Sequence, residues 1–510
     1  ATAVGVLSAA TGASASAFGQ AANAAGTNAT AVGVASAATG ASASAFGQAA
    51  NAAGTNATAV GVLSAATGAS ASAFGQAANA TGTNATAVGV GSLANGDSAT
   101  ATGEFSNATG VNASAFGQAA NANGATATAI GSFSSAIGAS ASAFGQGANA
   151  TGTNATATGV GSAANGDGAT AAGEFSHATG VNASAFGQAA NANGAAATAI
   201  GSFSSAVGAS ASATGYQAYA NGANATATGA RSVAYGATAT AYGQGASAIA
   251  DRATAIGQGA SATQIGATAI GQGAVASADP TTAVGSGAQA LSNNASAFGA
   301  GATAGLAPGV GDNATAIGQG AVATGTNSTA LGRGASTNGF AGSTAIGAGA
   351  VNTAPNQVTL GTSATTLMVP GVTSAASAAA QSGVTKFIST DAEGHAAASA
   401  YGPQDIAALS ASVGGMQQSV AGLQQSVNAV QQSIPRAYEG TAIAIALGAA
   451  ALPDNKRYAI SANVGTFRGE SAFGGSAQLR VSDNLVLNAG IGAGFREGGV
   501  GARVGATWAW

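Results

Sequence analysis

Side chains able to do acid–base or metal chemistry are scarce in this sequence. There are two histidines, His177 and His395, no cysteine, and 15 carboxylates in 510 residues. Two carboxylate pairs, Asp97 with Glu104 and Asp167 with Glu174, are each spaced seven residues apart. On neighbouring turns of a repeat, two such oxygens would suit a divalent cation. The dense Gly-Asp pattern of calcium-binding β-helices is missing, so no metal ligand is assigned. His177 stands in "GEFSHATG" where a duplicate 70 residues earlier, "GEFSNATG", has Asn107, and a surface position suits it better than a ligand or general-base role.

Arg480 and Arg503 are candidates to hold a segment inside a pore, through carbonyl oxygens or Asp454, with simple solvation the alternative. Gly490 and Gly492 do not form a phosphate loop, because no helix follows to offer its amides. Asn28-Ala29-Thr30 matches a glycosylation triplet, but alanine, asparagine and threonine are what the repeat is made from. No nucleophile–base pair and no cluster of carboxylates appears, so no catalytic residue, cofactor or metal is expected.

Composition removes further classes. Glycine supplies 82 residues and only 5% of the chain is charged, against roughly 25% in an ordinary soluble domain. Residues 1–360 carry seven acidic and three basic side chains, the first being Asp97, so a nucleic-acid partner is not expected. No apolar run reaches the roughly 20 residues of a spanning helix. No basic segment followed by an apolar one opens the chain, which reads as one whose signal peptide is missing from this numbering or removed.

What dominates is a ruler of 14. A large or branched residue followed by glycine recurs at Val4, Phe18, Val32, Phe46, Val60, Phe74, Val88, Phe116, Ile130, Phe144, Ile256, Ile270 and onward to Phe298. A five-residue insertion around "LAPGV" moves the next to Ile317, followed by Leu331, Ile346 and Leu360. A second glycine often follows seven residues after the first, and alternation such as "SASAFG" precedes it, so each unit reads as two short strands and two tight turns. Helix is disfavoured, since each interior glycine costs about 1 kcal/mol relative to alanine. Parallel strands about 4.8 Å apart would stack the 26 units into a rod on the order of 120 Å long. The large residue of each coil, from Val4 to Ile317 and Ile346, is expected to point inward as a thin core. So thin a core predicts that several chains pack side by side.

After Gly361 the ruler stops. "VTKFISTDAEGHAAA" from Val384 reads as two short strands around a turn, in a neck over 362–402. A heptad follows, with Ile406, Val413, Val420, Val427 and Ile434 at a, and Leu409, Met416, Leu423 and Val430 at d. This predicts a parallel coiled coil over 403–435, about 45 Å long at 1.5 Å per residue. Residues 436–456 then traverse a pore; "TAIAIALGAAAL" suits a strand equally well, and helix is preferred.

The last 54 residues change to a period of two, giving four strands of about ten residues, the length that crosses a bilayer when tilted. Leu479, Val481, Leu485, Leu487, Ile491, Phe495, Val504 and Trp508 are assigned to the lipid face, opposite a glycine-rich lumen face. Strands in lipid leave no open edge and four cannot close a barrel, so two chains would give eight strands and three would give twelve. Three helices in the pore need the twelve-stranded size.

This order of parts resembles the trimeric autotransporter adhesins, the YadA-like family. "TAIGQGA" at Thr254, Thr268 and Thr315 is similar to the family's head repeat, and the segment ending "GARVGATWAW" to its membrane anchor. The resemblance implies a mostly β fold: a trimeric left-handed parallel β-roll head (1–361), neck (362–402), trimeric coiled-coil stalk (403–435), pore segment (436–456) and four strands per chain (457–510) of a 12-stranded transmembrane barrel. It implies a homotrimer on the surface of a Gram-negative bacterium, anchored in outer-membrane lipid and exported through its own barrel. Trp510 matches the terminal aromatic typical of substrates of the barrel-assembly machinery. The expected function is attachment to host, abiotic or neighbouring-cell surfaces, with the ligand unnamed. An ice-binding or phage-fibre-like β-solenoid is the alternative.

Overall fold

The computed structural model describes residues 1–417, 423–448 and 451–510, and the chain divides into two compact units, 1–329 with 339–342, and 330–338 with 343–510. In the first unit each 14-residue coil holds a three-residue strand and a two-residue strand. Thr2–Val4 pairs in parallel with Ser16–Phe18, placing Val4 beside Phe18, and Ala9–Ala10 pairs with Asn23–Ala24. Every residue therefore sits beside its own equivalent one repeat on, and the ladder continues through the turns, as where the Gly19 amide donates to the Val4 carbonyl at 2.8 Å.

Glycine stands at both corners of most coils, always at the corner of Gly5 and Gly19, while the corner of Gly12 and Gly26 takes Ala250, Gln264, Ala278 and Ser292 in later coils. Gly19 has φ of 135°, and a Cβ there would overlap the backbone of Gly33. At Gly12, whose φ is not positive, the obstacle is the backbone of Gly26 and Ala25. This is why the ruler holds its register.

The interior corrects the sequence expectation. The buried residues of a coil are alanines, such as Ala15, Ala17, Ala22, Ala24, Ala29 and Ala31, with Ser36 and its equivalents bonded to a turn carbonyl. Val4, Phe18, Phe46, Phe74, Phe116, Ile130, Phe144, Ile256 and Ile270 instead lie exposed on the outside of the single chain. Val32, Val60 and Ile317 are half-buried, as is Ile346 in the second unit. Successive strand residues point to opposite faces, so the alanine before each large residue takes the inside. A coil packed on methyl groups leaves no space for a ring. The "LAPGV" insertion behaves as a loop, and Phe298 pairs with Ile317 across the 19-residue step.

The second unit opens with closing coils, where Thr344–Ile346 pairs in parallel with Val358–Leu360. Buried Asn352 donates to the carbonyls of Thr344 and Gln357 and to Thr359 Oγ1. In the neck, a short helix Ala375–Ala380 is capped by Ser374, whose Oγ accepts from the Ser377 amide. The expected two strands follow as an antiparallel hairpin, Ile388–Thr390 with Ala396–Ala398.

Helices Pro403–Gln417 and Leu423–Ala446 carry the heptad region. In the single chain Ile406, Leu409, Val413, Met416 and Ile434 are exposed. Val420 lies outside the described residues, and Leu423, Val427 and Val430 are described as helical backbone only. The second helix runs through Pro435 and on to Ala446 without a break, so the 435/436 division separates no elements. It also makes residues 441–446 helical, as preferred from the sequence.

Candidate functional site: a helix seated on the anchor sheet

Four strands, β1 (Tyr458–Phe467), β2 (Glu470–Ser482), β3 (Leu485–Gly494) and β4 (Val500–Trp508), form an antiparallel meander. Pairing decides which residues share a face. Tyr458 lies opposite Leu479, Leu479 opposite Leu487, Ile491 opposite Ala502, and Leu485 opposite Trp508. That face is largely apolar, with Ile460, Val464, Phe473 and Val504 extending it and the Thr466–Ser471 pair at one end.

The other face receives the helix Leu423–Ala446. Glycines give it room: a Cβ on Gly474 would come within 2.6 Å of the Ala446 carbonyl, and one on Gly492 or Gly501 within 3.1 Å of Ile443 Cγ2. Ala442, Ile443, Ala446 and Leu447 are buried there. Both arginines reach backbone carbonyls: Arg503 Nη1 donates to Leu447 at 3.3 Å, and Arg480 Nη2 to Leu452 and Pro453 at 3.4 Å each, with Asp454 Oδ1 at 3.6 Å. Of the expected lumen face, Gly492, Gly494 and Gly501 meet the helix, Arg503 and Arg480 hold the chain just past its end, and Gly490 and Gly505 face Ser476 and Asn488 instead.

Two expected lipid-face residues lie off the regular ladder. Val481 sits at the irregularity between Arg480 and Ser482. Phe495 follows the end of β3, its amide donating to Ser471. Trp510 lies beyond β4, fully exposed.

Residues 450–510 match the YadA-like membrane anchor domain, and successive stretches from 10–36 to 310–335 match the YadA head domain repeat (2 copies). The matched stretches cover more than half of the chain. The chain belongs to the YadA-like trimeric autotransporter adhesins. No curated protein matched it. Both matched families are adhesin and anchor domains rather than enzymes.

Several of the scarce titratable groups of this adhesin are hydrogen-bonded within the chain. Asp97 Oδ1 accepts from the Thr83 amide of the preceding coil at 2.9 Å, and Asp167 Oδ1 from Thr153 at 2.8 Å. Glu174 accepts from Gln188 at 3.4 Å. Asp97, Asp167 and Glu174 are thus each bonded to a neighbouring coil. Exposed His177 has its Nδ1 2.8 Å from the Phe175 carbonyl.

Two groupings escape a linear reading. In the neck hairpin, Asp391, Glu393 and His395 bring three potential ligand atoms within 4.8 Å of one another. Asp391 already accepts from both the amide of His395, at 2.8 Å, and its Nδ1, at 2.7 Å. Hydrogen bonding to the imidazole lowers the Asp391 carboxyl below its ordinary value, and the same bond raises His395. The DAEGH spacing of an Asp four residues before a His across a turn was the available signal.

The second grouping is at the far end of the anchor sheet. Glu439, 2% exposed, accepts from the amides of Arg496 and Glu497 in the β3–β4 loop. Its only sequence signal is a lone carboxylate in the apolar stretch "AYEGTAIAIAL".

Proposed function

We propose that this adhesin is a trimeric surface fibre that exports its own head and holds it on a short stalk for attachment to host, abiotic or neighbouring-cell surfaces. Three chains contribute twelve strands to one barrel, because a four-stranded sheet in lipid has two open edges. Their apolar faces meet outer-membrane lipid and their glycine faces surround the helices. Trp510 is the end presented to the barrel-assembly machinery, in a Gram-negative cell.

The observation that carries this reading is the helix seated on the glycine face, which links a surface head to a membrane sheet inside one chain. The outward rows of Phe18, Phe46, Phe74 and their equivalents support side-by-side packing of three heads, and the exposed heptad residues support three stalk helices. A free ice-binding or phage-fibre role gives the anchor no task.

Attachment is tested on cells displaying the full chain and cells displaying residues 362–510 alone, scored for adherence to matrix proteins, plastic and each other. Adherence that follows the head supports the proposal; equal adherence by both strains overturns it.

A further inference from the structure

The contacts holding the helix in the sheet divide into two kinds. Along most of its seat the helix lies close over glycines: the backbone of Ala442 and Ala446 over Gly465 and Gly474, and the Ile443 side chain over Gly492 and Gly501. Such a surface is smooth, and apolar contact is non-directional, so it gives little preference for one axial position over another.

Directional contacts stand at its two ends: past the last turn Arg503 and Arg480 donate to the carbonyls of Leu447, Leu452 and Pro453, and at the opposite end, within the helix itself, stands Glu439. The Glu439 carboxylate takes the Arg496 amide at 2.9 Å and the Glu497 amide at 3.0 and 3.2 Å. It occupies the space where a side chain on Gly494 would stand. One helical turn away, Arg436 Nε donates to Glu497 at 2.9 Å, and Arg496 Nη1 donates to Glu470 at 2.7 Å. These bonds tie the helix to the β3–β4 loop, and that loop to the start of β2. Hydrogen bonds to an ionised acceptor are short and angle-dependent, so a shift of one residue along the axis breaks them.

From this geometry we infer that Glu439 is a positioning residue that fixes the axial register of the pore helix: the exported chain comes to rest where its carboxylate meets the amides of Arg496 and Glu497. The inference rests on the anchor reading above. Gly494 keeps the seat open, and the Arg436–Glu497 and Arg496–Glu470 pairs shape the loop around it.

The test uses the full chain in outer membranes, with a disulfide as a ruler. The sequence has no cysteine, so Ile443→Cys with Gly501→Cys introduces one defined pair, at positions whose side chains face each other. Oxidation should link this pair efficiently in the otherwise unaltered chain. Adding Glu439→Ala, or Gly494→Ala to fill the seat, should lower the linked fraction about tenfold, the scale set by one lost charge-assisted hydrogen bond, while the head still reaches the surface. Glu439→Gln, which keeps the shape and one acceptor oxygen, should restore part of it. Unchanged linkage in both Glu439→Ala and Gly494→Ala overturns the proposal, as does failure of all three variants to assemble. Absence of a membrane trimer in the unaltered chain would instead count against the anchor reading itself.

Discussion

Ala17 and Phe18 are neighbours in one strand with opposite fates: Ala17 is fully buried inside the coil, while Phe18 is 40% exposed on its outside. The roll is therefore stacked on alanine, and its large residues form a second, external apolar surface. The two surfaces respond differently to substitution.

Enlarging the inside should unfold coils. Ala115→Leu places extra methylenes in an interior of methyl groups, where overpacking costs about 1–3 kcal/mol. Thermal melting of the head followed by circular dichroism should move to lower temperature. Phe116→Ala, one residue on, should leave the coil intact and instead loosen association of heads, read by sedimentation.

Glycine at the corner is a stronger requirement than either. Gly117 has φ of 133°, and a Cβ there would lie 2.6 Å from the Gly131 carbonyl oxygen. Gly117→Ala should destabilise by more than about 1 kcal/mol, whereas Asn112→Gly, at a φ of 57° that glycine adopts readily, should be nearly neutral. Protease sensitivity of the displayed head separates the two.

Removing divalent cations should change nothing in the head. Asp97 and Asp167 hold amides of the preceding coil, so a chelator should leave the melting temperature unaltered. Asp97→Ala, which removes one exposed acceptor, should lower it slightly in both the presence and the absence of the chelator.

The neck hairpin should respond to pH. Asp391 is lowered from 3.8, so its contribution is present above that value and is lost as pH falls through the lowered one. His395 is raised from 6.5, so its contribution is complete below 6.5 and is lost as pH rises through the raised value. The turn is held most firmly between about pH 4 and pH 6.5. Amide exchange of His395 should be slowest in that window, and Asp391→Asn should flatten the profile.

The ruler of 14 was legible because glycine at Gly5, Gly19 and their equivalents is a backbone requirement, independent of what lies across the coil. Which side each strand turns inward was not legible. Alanine and phenylalanine alternate with the same period, and the larger residue looks like the core until the width of the coil is known. That Arg480, Gly492, Gly494, Gly501 and Arg503 share one face of the anchor sheet could be read from alternation alone. Glu439 could not, because its partners are backbone amides 57 and 58 residues away, in a loop whose position only the folded sheet defines.

The central claim, that three copies of this chain share one membrane anchor, is tested most directly by solubilising outer membranes without heating and resolving them on SDS gels. The account predicts a band at about three times the 46.4 kDa chain mass that collapses to the single chain on boiling. A single-chain band before heating, or a chain recovered only in the soluble fraction, would contradict it.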